Sequence, residues 1–149
     1  MVGSRELEID PRWSLWYLRT GAIARHFATP PDPFAFHVGQ AEAKTNLRAI
    51  CVSQKSYYAG RSRFAKTFAE IHFDLPSGFD FYYTYYMGDQ VLAPNRAPKS
   101  ELPRGVETYV KDQSFKAAAV GHIGKNGALD VWTIDETFKL TNVTNGLDH

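Results

Sequence analysis

The chain has 149 residues, of which 44% are hydrophobic and 14% aromatic, and its formal net charge is +1. A chain of this length forms one domain that buries roughly two thirds of its unfolded surface, so neither a disulfide nor a metal is needed to hold it. The composition excludes a disordered chain, and the near-zero net charge gives no indication of a nucleic-acid partner. The single cysteine, Cys51, has no disulfide partner and is expected to pack as a small apolar side chain.

The N-terminal part predicts a short helix followed by a break. Asp10-Pro11 is typical of a helix N-terminus, and aromatic residues at helical spacing predict a helix over about 11–27. Its arginines and tryptophans fit packing on the protein or loose disorder better than contact with a membrane interface. Three prolines within Thr29–Pro33 end the helix. We therefore predict an atypical segment over 1–38 and a globular domain over 39–149.

The first residues give no sign of membrane insertion or export. No apolar run reaches the roughly 18 residues that a membrane helix requires. The N-terminus also lacks a basic start, an apolar core and a cleavage site in that order. As given, the chain is expected to have neither a membrane anchor nor an export signal.

A second helix, which we call the spine, is predicted over Ala41–Tyr58, because apolar residues recur there at helical spacing without Gly or Pro. Such a helix needs a partner surface, since helices in water are stabilised mainly by packing of the apolar side. The predicted buried side consists of Ala43, Leu47, Ile50, Cys51, Gln54, Tyr57 and Tyr58, and the predicted solvent side of Glu42, Lys44, Arg48 and Lys55.

The chain after the spine predicts an antiparallel sheet of about four strands. Phe79–Met87 is the strongest strand signal, with aromatic residues on both faces. The proline-containing stretch 88–114 is predicted to be a surface loop, with a function or short elements of its own. The chain before the spine is interpreted as an extended approach through Phe34, Phe36 and Val38. The chain directly after the spine is interpreted as a core-filling turn with Phe64, Phe68 and Ile71. Further strands are predicted over 115–123, 129–135 and 138–143, with a hairpin turn at Asn126-Gly127. The predicted fold class is α+β, with a long spine helix packed on the sheet.

Several short stretches resemble one known family. Ala41–Ile50, followed by Gln54–Tyr58 and Arg63–Ile71, resembles the start of the globular domain of type IV pilins and of the related pseudopilins of type II secretion. Similar stretches near the C-terminus are Phe115–Ile123, Leu129–Asp135 and Asn142–Asn145.

The resemblance implies a bacterial structural protein. It implies a helix laid on an antiparallel sheet, repeated as the outer part of a filament. It also implies other pilin-like subunits and the pilus or secretion machinery as partners, and the inner membrane, periplasm and cell-surface pilus (fimbrium) as locations, with roles in adhesion, motility or secretion. Residues 1–40 depart from the family pattern of a basic leader, a cleavage site and a long apolar stem.

The residues give no support for catalysis or cofactor binding. His26, His37, His72, His122 and His149 share no zinc-binding spacing, and Gly121, Gly124 and Gly127 with Lys125 fit no phosphate loop. Asn126, Asp130, Asp135 and Glu136 carry oxygen ligands suited to calcium, but Lys125 and the strand alternation make convergence unfavourable. We predict no catalytic residue, no cofactor-binding residue and no metal ligand.

The sequence therefore predicts a non-enzymatic structural subunit, with no nucleic-acid partner favoured and no membrane span in this chain. The alternative is a binding module of another class. In it, Tyr82, Tyr83, Tyr85 and Tyr86 would form an aromatic sheet face that stacks on single-stranded nucleic acid or carbohydrate.

Overall fold

A computed structural model describes residues 35–123 and 127–148, with side chains over 40–123 and 127–147. The predicted helix over 11–27, the proline break and Asn126 of the predicted hairpin turn lie outside the described residues. The boundary between residues 38 and 39 stays a prediction.

Helix α1 extends over Ala35–Arg61. Good helix formers fill its middle, and the next residue, Ser62, ends it in the left-handed conformation with φ 59°. The Ser62 amide donates to the Tyr58 carbonyl at 2.7 Å, which satisfies one of the free carbonyls of the last turn. Because the helix begins at Ala35, the predicted extended approach through Phe36 and Val38 is wrong.

The predicted buried side of α1 is confirmed, and the predicted solvent side is confirmed in part. On the buried side, Tyr58 is half-buried, and Ala43, Leu47, Ile50, Cys51 and Gln54 are 0% and Tyr57 8% exposed. On the solvent side, Arg48 and Lys55 are exposed and Lys44 is half-buried, but Glu42 is completely buried. The described side chains begin at Gln40, and residues 40–61 are about 33 Å long at about 1.5 Å per residue. This part of the helix is short, and the expectation of a long spine is wrong.

The sheet is antiparallel and has six strands, in the order β2-β1-β4-β5-β6, with β3 also paired to β4. The expected number of about four is too low, because the stretch 88–114 contains two short strands, Gln90–Leu92 and Tyr109–Val110. The strands are β1 Thr84–Met87, β2 Gln90–Leu92, β3 Tyr109–Val110, β4 Phe115–His122, β5 Leu129–Asp135 and β6 Leu140–Thr144, followed by a 3-10 turn at Gly146–Asp148. The α+β class is thus correct, as are the bounds of β5.

Two apolar clusters lie on the two faces of the sheet. The larger cluster includes α1, the turn that holds Phe64, Phe68 and Ile71, and side chains of β1, β4 and β5. On the other face, Tyr86 of β1 packs in a smaller cluster that Leu102 and Val106 cover. The stretch 88–114 therefore packs partly on the sheet, and does not only face outward.

Small residues in β4 allow close packing on both faces. Ala117 and Ala119 belong to the larger cluster and Ala118 to the smaller one, as strand alternation requires. At Gly121 an added Cβ would lie 3.1 Å from the ring of Tyr83, so this ring occupies the space that a side chain would take.

Candidate functional site

A buried polar network joins the first turns of α1 to the chain entering β1. The Glu42 carboxylate accepts hydrogen bonds from the amides of Tyr82 at 3.0 Å and Tyr83 at 3.2 Å, and from the Tyr85 hydroxyl at 2.8 Å. The Asn46 side-chain amide donates to the same hydroxyl at 2.9 Å. The amides of Tyr82 and Tyr83 thus pair with a side chain and not with a strand. This explains why β1 begins at Thr84 and not at the predicted Phe79.

Glu42 has no cationic partner among the described side chains. Desolvation by burial raises its pKa to about 8, although the hydrogen bonds from Tyr82, Tyr85 and Tyr83 act to lower it. Burial also raises the pKa of the Tyr85 hydroxyl well above its ordinary value, and the neighbouring carboxylate raises it further. The Asn46 Oδ1 atom is buried and has no hydrogen-bond partner.

A second buried carboxylate, Asp130, lies on β5, which β4 separates from β1. It accepts from the Gln40 side chain at 3.0 Å, the Trp132 indole at 2.8 Å, the Gly146 amide at 2.8 Å and the Tyr83 hydroxyl. Four donors from the helix, the sheet and the C-terminal turn therefore converge on it. This geometry fastens those elements together.

The residues weighed as calcium ligands do not converge. Asp130 is fully buried and its oxygens already accept hydrogen bonds, whereas Asp135 binds the amide and hydroxyl of Thr137 at 2.8 and 2.5 Å. Over residues 35–123 and 127–148, no group of three or more His, Cys, Asp or Glu side chains could hold a metal ion. Asn126 lies outside the described residues.

The tyrosines of the alternative hypothesis do not form one exposed face. Tyr83 and Tyr85 are 0% exposed and lie on the helix side of the sheet, and Tyr86 is 7% exposed on the other side. Tyr82 is half-buried. Stacking on a base or a sugar requires accessible rings, so this arrangement does not favour the alternative.

The Gln54 side chain takes the place of a backbone partner for Ala65. Its side chain donates to the Ala65 carbonyl at 2.8 Å and accepts from the Ala65 amide at 2.7 Å. Both groups are buried, and this pairing holds the turn after α1 against the helix. The buried Gln54 thus has a structural explanation.

Cys51 behaves as predicted for a buried thiol. It is 0% exposed and donates to the Asp135 carbonyl at 3.3 Å. Burial raises its pKa to about 12, so the thiol is protonated at neutral pH.

One serine–histidine contact was not foreseen. Ser100 Oγ lies 3.2 Å from His122 Nδ1, and the Ser100 amide donates to Thr84 Oγ1 at 2.8 Å. Ser100 is 5% exposed, and among the described residues no carboxylate orients the histidine. This is not a catalytic triad. His72 is exposed, and the side chains of His26, His37 and His149 lie outside the described ones.

A shallow groove of about 500 Å³ lies beside the edge strand β2. Phe68, Phe73, Val91 and Leu92 form its apolar part, and His72 and Asp74 lie at the same groove.

The sequence interpretation missed the network around Glu42 and Asn46. A signal was present, because Glu42, Asn46, Ala49 and Ser53 follow one another at helical spacing and are 0%, 0%, 1% and 7% exposed. They form a second buried stripe beside the apolar one. This stripe was not recognised because charged residues were assigned to the solvent side.

No family model matches the chain, and no curated protein matches it. Of the helices in the described part of the chain, none is both long enough and apolar enough to cross a membrane.

Proposed function

We propose that the chain is a structural subunit that resembles a type IV pilin, in a pilus or in a secretion pseudopilus. Its mechanism is self-association, and it catalyses no reaction. The globular domain is the repeated outer part, and other pilin-like subunits and the assembly machinery are its partners at the inner membrane, in the periplasm and on the cell surface.

The packing of α1 on one face of an antiparallel sheet supports this proposal most directly. Leu47 and Ile50, which lie in the pilin-like stretch, are buried in the same cluster as Ala117 and Ala119 of β4, which lie in another pilin-like stretch. The stretches that carry the resemblance are therefore in contact in the fold, as a shared domain architecture requires.

The polar groups of the described residues support a structural function. The carboxylates of Glu42 and Asp130 are buried, and their hydrogen bonds are all made to other parts of the chain. A catalytic acid or base has to reach a substrate. These two groups hold elements of the domain together.

The test is a chimera in a bacterium that lacks its own major pilin. Residues 41–149 follow the leader and apolar stem of that pilin, and cells are examined by electron microscopy for surface filaments. We expect filaments that an antibody against the globular domain labels along their length. The control is the same chimera with Ile50→Asp, which places a charge in the core and should abolish both the folded domain and the filaments.

A protease-resistant chimera that accumulates in the membrane without giving filaments would contradict the proposal. Protease resistance separates this outcome from simple misfolding.

A further inference from the structure

The position of Glu42 leads to an inference that is independent of the proposed function. We propose that Glu42 is a proton-dependent latch between α1 and residues 79–83: it holds the two together when its carboxyl group carries a proton, and lets them separate when the group is ionised.

Among the described side chains, no cation compensates the charge of an ionised Glu42. Glu42 is 0% exposed, and its partners are two backbone amides and the Tyr85 hydroxyl. Lys44, two positions along the same helix, lies over the Trp132 ring at 5.2 Å. An ionised carboxyl group that is removed from water without a cation is unfavourable, so this site favours the neutral acid.

The hydrogen-bond network around Glu42 can take up the extra proton without the movement of a heavy atom. With Glu42 neutral, its hydroxyl donates to the Tyr85 oxygen across the 2.8 Å contact. The Tyr85 hydrogen then turns to the Glu42 main-chain carbonyl, 3.3 Å away, and the Asn46 amide still donates to the Tyr85 oxygen at 2.9 Å. Tyr85 therefore serves as donor in one state and as acceptor in the other.

The other titratable groups around the site do not supply the charge change between pH 5 and 8. From the chain entering β1, Tyr82, Tyr83 and Tyr85 face Glu42, and burial raises the pKa of each hydroxyl above its ordinary value, so they stay neutral. From β5, Asp130 reaches the site only through the Tyr83 hydroxyl. Ionisation of Glu42 thus adds an uncompensated charge between α1 and the sheet.

The consequence for stability follows from proton linkage. The pKa of Glu42 rises from 4.5 to about 8 in the folded chain. Between these two values the folded chain binds a proton that the unfolded chain has released, so stability falls as the pH rises through this window. Above about pH 8 the ionised carboxyl favours openings that admit water and free the amides of Tyr82 and Tyr83.

The experiment is equilibrium unfolding of the full chain in denaturant from pH 5 to pH 8, for the wild type and for Glu42→Gln. We expect the unfolding equilibrium constant of the wild type to increase with pH more steeply than that of the variant. The difference between the two slopes should reach up to about tenfold per pH unit. Any other group that titrates in this range is present in both proteins, so its contribution cancels in the comparison. Parallel curves for the two proteins would overturn the proposal.

Glu70→Gln is the matched control. Although desolvation acts to raise it, hydrogen bonds from Tyr57, Lys66 and Thr67 lower the pKa of the exposed Glu70. This variant should keep the wild-type slope. A loss of slope as large as that expected for Glu42→Gln would contradict a specific action of Glu42.

A second measurement needs no variant, and applies if Glu42→Gln does not fold. In carbon NMR of the wild type with labelled glutamate carboxyl groups, one group should titrate near pH 8. In the same samples, protection of the Tyr82 and Tyr83 amides from hydrogen exchange should fall with pH relative to Ala118 in the middle of β4. Titration of every glutamate below about pH 5.5 would overturn the proposal.

Discussion

Leu47 and Ile50 lie in the largest apolar cluster of the domain, and neither is exposed. Replacing either with alanine removes buried methyl groups and leaves a cavity. We expect Leu47→Ala and Ile50→Ala each to lower the free energy of unfolding by about 2 to 5 kcal/mol in denaturant titrations. The control is Arg48→Ala on the exposed side of the same helix, which should change it by less than about 0.5 kcal/mol.

Similar losses for all three variants would mean that the buried side of α1 is assigned incorrectly. Arg48 is a sharper control than Lys44, because Lys44 is half-buried and contacts the Trp132 ring.

At the scale of single residues, the apolar pattern could be predicted and the polar network could not. Helical spacing alone identifies Leu47, Ile50 and Cys51 as buried. Glu42 is buried where it accepts hydrogen bonds from Tyr82 and Tyr83, which lie 40 and 41 positions away along the chain. Local spacing contains no information about such pairings, so a glutamate near the start of a helix is assigned to the solvent side.

At the scale of secondary-structure elements, two glycines test how closely the sheet is packed. At Gly121 of β4 a methyl group would lie 3.1 Å from the Tyr83 ring, whereas at Gly60 of α1 nothing lies within 4 Å. We expect Gly121→Ala to destabilise by about 1 to 3 kcal/mol through overpacking. Gly60→Ala should stabilise by up to about 1 kcal/mol, because alanine is the better helix former.

The two variants are compared by thermal melting under identical conditions. The changes in melting temperature are expected to have opposite signs, although both variants replace glycine with alanine. If Gly121→Ala melts at or above the wild-type temperature, the Tyr83 ring does not occupy the position that the structure gives it.

Long elements were predicted better than short ones. The alternation of Leu129–Asp135 is sufficient to define β5, and β4 ends within one residue of its predicted end. In contrast, β2 and β3 have three and two residues, and their pairing with β1 and β4 defines them rather than any pattern of their own. The helical conformation from Ala35 onward was also missed, because Phe34, Phe36 and Val38 were interpreted as an extended approach.

At the scale of the whole molecule, both faces of the sheet are covered by the chain itself. Helix α1 and the turn after it cover one face, and Leu102 and Val106 cover part of the other. Aromatic residues on both faces of a strand are explained either by such double cover or by contact with a neighbouring subunit. The structure supports the first explanation at Tyr86, whose hydroxyl donates to the Ser100 carbonyl.

We expect α1 and the sheet to form one self-sufficient domain. Thermal melting of a fragment comprising residues 35–149, beside the full chain, tests it most directly. Because the two apolar clusters lie within residues 43–147, we expect a single cooperative transition within a few degrees of the full chain. A fragment that is unfolded at room temperature, or that melts without a cooperative transition, would contradict the claim.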